Sequence, residues 1–304
     1  LKIKELFEKK RFVFSFEIFP PKPTTPLERI YNTLDELKGL KPDFISVTYG
    51  AGGSTRDRTP QIAIDVKNNY GIESLAHLTC IEATREETCD LINFLIGNGV
   101  HNILALRGDL PQGQSAPKGD FRHAVDLVSF LREKYGQAIS IGGAAYPEGH
   151  IECEDPIKDL RYLKQKVDAG VDFLITQLFF DNELFYRFME RADIAGINVP
   201  ISAGIMPVVN KNQIERIVTL CGASLPQKFV RILHRYADEP RSLEEAGIAY
   251  ATDQIVDLIA FGVRGIHLYT MNKAHVARRI VSNVSTLRET MHGPKGEEAL
   301  YEGR

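Results

Sequence analysis

The sequence predicts a (β/α)8 TIM barrel, and three observations carry that expectation. Eight short runs rich in apolar and β-branched residues alternate with helix-patterned stretches. That order suits a parallel sheet rather than separate blocks of strands and helices. The 304 residues also suit eight strands closing on themselves, a fold of about 250 residues. Finally, the first run ends in Phe19-Pro20-Pro21-Lys22. The alternative, an open doubly wound sheet, would place a G-x-G-x-x-G turn there.

Strand one is read at 12–19, aromatic and β-branched, and stops at two prolines that cannot continue a ladder. A helix over 26–40 follows, with Leu27, Ile30, Leu34 and Leu37 at three- and four-residue spacing. Strand two covers 44–49 and runs into the glycine cluster Gly50–Gly53. A helix at 59–69 leads to strand three, 74–79. The next helix starts at Thr84, where Thr84 and Glu87 have capping-box spacing. Strand four is the unbroken apolar run Ile103–Leu106, ending in Arg107-Gly108-Asp109. A turn-rich loop to Gly119 precedes a helix at 121–135. Strand five is 139–146, followed by a helix at 156–169 with Gly170 suited to its C-terminal end. Strand six is 173–179, and a helix follows Asp181-Asn182. Strand seven is 200–205, with a helix from about Asn210. A long helical region at 226–261 precedes strand eight, 265–269, and a last helix at 274–287. The expected organisation is one barrel domain over 1–290 and a polar tail over 291–304.

The chain is 43% hydrophobic and 25% charged, with net charge -3, which argues against a nucleic-acid binder. No apolar stretch reaches the ~18 residues a membrane span needs, and the N-terminal segment lacks the apolar core of a signal peptide. Cys80, Cys89, Cys153 and Cys221 make no C-x-x-C pair, which suits reduced thiols and a cytoplasmic location. His150, Glu152, Cys153 and Glu154 share a loop but lack an accepted ligand spacing. No metal is expected.

Polar residues gather at the C-terminal ends of seven strands: Glu17, Thr48, His77, Arg107 with Asp109, Tyr146, Gln177 and Tyr269. In a barrel that end carries the chemistry. Glu17 sits among apolar neighbours, which favour its neutral, proton-donating form. Its alternative is a strand-end carboxylate paired with Lys22 or Arg107. Arg107 can grip a phosphate in bidentate fashion, or form a plain internal pair with Asp109. Gly108 lets the backbone approach a flat or phosphorylated ligand. The amide of Gln177 suits a heterocycle edge or a satisfied core position. A single strand histidine such as His77 is more commonly structural. Lys158, Lys164 and Lys166 read as a solvated helix face, and the Gly50–Gly53 cluster is a weak phosphate signal.

These residues also carry a resemblance. The segments Phe14–Lys22, Ser46–Ala51, Ala76–Thr79, Ala105–Pro111, Ala144–Glu148, Lys166–Gly170, Thr176–Phe180, Gly204–Pro207 and His267–Asn272 resemble, in order, those of methylenetetrahydrofolate reductases of the bacterial single-domain type. The similarity runs over residues 3–287, without the regulatory domain of eukaryotic members. It implies an enzyme that binds FAD, takes hydride from NADH or NADPH, and reduces 5,10-methylenetetrahydrofolate to 5-methyltetrahydrofolate in ping-pong fashion. By that resemblance Glu17 is the general acid and Asp109 a carboxylate tuning flavin and folate. Gln177, Tyr269, Lys273 and Thr48 contact substrate. Thr48, Tyr49, His77, Arg107, Gly108, Asp109, His123, Ala124, Ala145, Tyr146, His150, Asp159 and Lys166 contact the cofactor. Partners are small molecules and a second copy of the chain, with neither nucleic acid nor membrane. The chain departs from the family pattern at His123, Tyr162, Gln165 and Lys211, the last standing where some members place a substrate-stacking Phe. A folate-binding methyltransferase and a non-catalytic accessory subunit are the competing readings.

Overall fold

The computed structural model describes residues 1–49, 58–109, 118–211, 213 and 221–291. Eight parallel strands close in sequence order: β1 (Val13–Ile18), β2 (Phe44–Val47), β3 (Glu73–Thr79), β4 (Asn102–Leu106), β5 (Ser140–Ala145), β6 (Phe173–Thr176), β7 (Ile201–Ile205) and β8 (Gly265–Tyr269). The predicted barrel is therefore the observed one.

A helix that the sequence pattern left unassigned, α1 (Ile3–Lys9), closes the floor. Its Ile3, Leu6 and Phe7 pack with Val13, Phe44, Leu75, Leu104 and Phe173 at the lower ends of the strands. Asn102 secures it, taking the Ile3 N–H at 2.7 Å and donating to Ser74 O at 3.1 Å. The barrel interior is thus shut from below, which leaves the C-terminal strand ends as the way in.

The outer layer holds α2 (Glu28–Lys38), α3 (Arg58–Asn68), α4 (Arg85–Gly97), α5 (Ala124–Tyr135), α6 (Pro156–Asp168) and α7 (Asn182–Ile194). The capping box at Thr84 forms as predicted, a feature worth about 1 kcal/mol. Gly170 follows α6 in the left-handed region, φ +122°. The long helical region is in fact two helices, α8 (Gln227–Tyr236) and α9 (Pro240–Phe261). Pro240 explains the break, because it starts a helix well but cannot continue one. The last helix also divides, into α10 (Ala274–Asn283) and α11 (Ser285–Met291). Helix 121–135 starts later than expected, at Ala124, and β6 ends at Thr176. The Gly50–Gly53 cluster, most of the Leu110–Gly119 loop, most of the helix expected from Asn210, and residues 292–304 lie outside the described residues. Among the described residues no helix is long and apolar enough to cross a membrane.

Candidate active site

The strand alternation that buries Phe14, Phe16 and Ile18 in the outer core turns Ser15 and Glu17 to the opposite face, toward the barrel interior. Register then sets their neighbours. Ser15 pairs with Phe44 and His267, and Glu17 with Ser46 and Tyr269. The result is a polar cluster across β8, β1, β2 and β3. Glu17 is 6% exposed. Its Oε2 lies 3.3 Å from Ser46 Oγ and 3.4 Å from His267 Nε2. His77 Nε2 is also 3.4 Å away, but its geometry makes no hydrogen bond. Among the described residues none bonds Oε1, and the side chain keeps 8% of its surface exposed. The carboxyl therefore keeps one oxygen engaged and one unbonded.

Neither Lys22 nor Arg107 meets Glu17. The neighbours of Glu17 are two imidazoles and a hydroxyl, so its setting is more polar than the flanking sequence implied. Burial pushes the His77 imidazole down to about 4, so it is neutral near pH 7. Burial, and then the Glu17 charge, hold the Tyr269 phenol well above its ordinary value. Tyr269 stays a neutral donor and gives its proton to Thr176 O at 2.7 Å. It reaches that carbonyl by crossing Gly204, where a Cβ would stand 2.8 Å from the ring.

The backbone beneath this cluster is tied off. Thr270 Oγ1 donates to Glu17 O at 2.6 Å. Asn272 accepts the Phe19 N–H at 2.9 Å and donates to Phe19 O at 2.8 Å. Met271 and Asn272 both take positive φ, 50° and 57°, a strained conformation for residues with a Cβ. That turn fixes half-buried Lys273, which follows it, relative to the end of β1.

A second region lies under β4, β5 and α6. A cavity of about 350 Å³ is lined by Arg107, His123, Ala124, Tyr146, His150, Asp159 and Lys166, together with Glu152, Cys153, Tyr162 and Gln165. Seven of the residues expected at a cofactor therefore meet in one place. Ala144, rather than Ala145, faces this space. Ala145 is fully buried in the outer core and offers its carbonyl to Gln177 N–H at 2.7 Å. The Gln177 side chain folds onto its own strand end, its Oε1 accepting from Leu178 N–H at 3.0 Å.

Two cations and two carboxylates line this cavity. Lys166 is not on a solvated face. Its Nζ donates to Ala144 O, and burial lowers its ammonium to about 8 despite the charge of Asp159. Burial in turn raises the Asp159 carboxyl. Arg107 pairs with Glu152, not with Asp109: Nη2 is 2.8 Å from Oε1, and Nη1 binds Oε2. His150 Nδ1 accepts the Glu152 N–H at 3.1 Å. Burial and the Arg107 charge lower the His150 imidazole, so it too is neutral. The Tyr146 ring stands edge-on to it at 4.7 Å. Gly108, at φ +86°, packs against Thr79, whose Cβ would lie 3.0 Å from an added Cβ.

Thr48 is buried and extends the ladder by donating its N–H to Ile18 O at 3.0 Å. Tyr49 is half-buried and Asp109 exposed, each bordering a stretch outside the described residues. Among the described residues no group of His, Cys, Asp or Glu is arranged to hold a metal. Ser15, Ser46 and His267 did not stand out as site residues in the sequence. The signal was available: Ser15 lies two positions before Glu17, and His267 two before Tyr269, on inward strand faces.

The donor set fits a flavin dinucleotide in part of its length. Two cations and the N-terminus of α5 suit a pyrophosphate, and Tyr146 and Tyr162 offer ring faces. The cavity lies at the small end of ligand sites, which matches one half of such a molecule.

Comparison with known proteins gives one family. The sequence model described as "Methylenetetrahydrofolate reductase" matches residues 2–285. A 5,10-methylenetetrahydrofolate reductase of Escherichia coli (strain K12) is 40% identical over 266 residues, covering 88% of each chain. Methylenetetrahydrofolate reductase (NADH) 1 of Arabidopsis thaliana is 38% identical over 301 residues, 95% of this chain and 51% of the relative. The chain thus spans about half the length of the plant relatives. Among solved structures, an uncharacterized Clostridium thermocellum protein described as binding two copies of 5-methyl-5,6,7,8-tetrahydrofolic acid superposes with TM-score 0.65. It is 17% identical and covers 95% of this chain and 99% of its own, a likeness of fold.

Proposed function

The chain belongs to the methylenetetrahydrofolate reductase family, and from that premise we propose that it is an oxidoreductase reducing 5,10-methylenetetrahydrofolate to 5-methyltetrahydrofolate, with FAD as cofactor and NADH or NADPH as donor. The observation that carries this reading is the buried Glu17 carboxyl. It has one oxygen engaged by the barrel, beside a cavity that gathers two cations, Arg107 and Lys166.

When bound, the flavin supplies two-electron transfer between donor and folate. The protein's part is binding and proton supply. Lys166 and Arg107 neutralise the pyrophosphate, with Arg107 exchanging Glu152 for a phosphate oxygen. Tyr146, His150, His123 and Ala124 line the nucleotide side. Gly108 gives close backbone approach, and Thr48, Tyr49, His77 and the Ala145 backbone border the ring. Asp109 faces the reacting rings. Gln177, Tyr269, Lys273 and Thr48 position the folate. Opening the five-membered folate ring leaves a lone pair on the departing nitrogen, which must be protonated. Glu17 is the carboxyl placed to deliver that proton, from Oε1.

Titration with FAD under anaerobic conditions tests this. The expected result is a yellow complex that bleaches with NADH or NADPH and recolours with methylenetetrahydrofolate. A chain that takes up no FAD at micromolar concentration contradicts it. We include the homo-oligomer in this reading, with sedimentation as its check.

A further inference from the structure

We infer that His267, held by Ser15, is a positioning residue that fixes which oxygen of Glu17 carries the transferable proton. This deepens the reading of Glu17 as proton donor and rests on it.

A barrel core is ordinarily filled by branched apolar side chains. Here Ser15, Ser46 and His267 are all 0% exposed, so the polar layer has to be satisfied from within. Ser15 Oγ lies 2.7 Å from His267 Nδ1 and 3.3 Å from Ile266 O. A hydroxyl has one proton to give, and we place it on the 2.7 Å contact rather than on Ile266 O, because the opposite tautomer would aim a bare Nε2 at Glu17 Oε2. Nδ1 is then an acceptor, and the ring proton sits on Nε2. That nitrogen is 3.4 Å from Glu17 Oε2 and 3.3 Å from Ser46 Oγ. Ser46 Oγ itself donates to Oε2 at 3.3 Å. The ring cannot easily turn away. Phe44 stacks on it at 6.0 Å with 23° between planes, and Tyr269 meets it edge-on at 5.4 Å.

The consequence is asymmetry in the carboxyl. Oε2 receives protons in hydrogen bonds and cannot offer one to substrate. Oε1 is left as the site of the acid proton. When that proton leaves, the charge created is met at Oε2 by donors already in place. His267 does not touch the substrate in this account and acts through Glu17.

The test uses the full chain. Histidine 15N spectra should give His267 a protonated Nε2 and a bare Nδ1, and Ser15→Ala should mix the two tautomers. In the folate half-reaction, His267→Leu should lose about 100-fold, the size of a misplaced reacting group. His267→Gln retains a donor near Oε2 and should stay within about fivefold of wild type, against about tenfold loss for Ser15→Ala. Reduction by the nicotinamide donor should be unchanged in all three. The inference is overturned if His267→Leu and Ser15→Ala both reduce folate normally, if Gln rescues no better than Leu, if both half-reactions fall together, or if wild-type His267 carries its proton on Nδ1. A Glu17→Gln protein that still reduces folate would instead sink the underlying assignment of Glu17.

Discussion

The two halves of the site are built on opposite principles. The cluster on β8, β1, β2 and β3 is a network of buried polar contacts around one carboxyl. Glu17 Oε2 is met by hydroxyl and imidazole groups, and the nearby His77 is kept neutral by burial. The cavity under β4, β5 and α6 is open, and its cations are loosely held. Among the described residues Lys166 has a backbone carbonyl as its hydrogen-bond partner, and Arg107 is held by an exposed rim carboxylate. The first arrangement fixes a proton in one geometry. The second awaits an anion.

Substitutions should therefore separate the halves. Glu17→Gln should lower the folate half-reaction by about 10³-fold, within the range for a general acid, and leave cofactor affinity unchanged. Loss of affinity in that variant would break the separation. Lys166→Met should weaken FAD binding by about 10- to 100-fold, the value of a charge-assisted hydrogen bond, as read by fluorescence titration. The same residue sets a pH dependence. Its ammonium is lowered to about 8 in the unliganded chain, so it is charged below that pH and neutral above it. FAD affinity should fall as pH rises through this region, and the fall should vanish in Lys166→Met.

Gly108 joins the two halves, packed on Thr79 of β3 and following Arg107 just past the end of β4. Gly108→Ala adds a Cβ at positive φ, 3.0 Å from Thr79, and should cost about 1–2 kcal/mol of stability, measured by denaturant unfolding. The smallest effect belongs to Glu152→Gln. Releasing Arg107 from an exposed partner should tighten FAD binding by about two- to fivefold, the scale of a surface ion pair. Weaker binding in that variant would show that Glu152 supports the site rather than competing for Arg107.

The barrel was legible because each strand announces itself locally. Strand β1 is an aromatic run stopped by Pro20, and β4 an apolar run stopped by Arg107. Glu17 was legible as one ionisable residue inside such a run. Its partners were not, because they come from register. Ser15 meets His267 across 252 positions, and nothing near either residue announces the other. The partner of Arg107 was hidden for a similar reason: Asp109 is nearer in sequence, but the loop after β5 brings Glu152 across. The helix floor was missed because α1 has only seven residues, too few for periodicity to speak. The role of Lys166 came from the family resemblance, since spacing alone put it with solvated Lys158 and Lys164.

Proton supply from Glu17 and anion binding by Lys166 and Arg107 should be separable, because they sit in different parts of the barrel. The direct measurement is an anaerobic stopped-flow comparison of Glu17→Gln and Lys166→Met, both saturated with FAD. The account predicts that Glu17→Gln bleaches with donor at the wild-type rate but is not reoxidised by methylenetetrahydrofolate, whereas saturated Lys166→Met is reoxidised normally. Reoxidation of Glu17→Gln at the wild-type rate would contradict it.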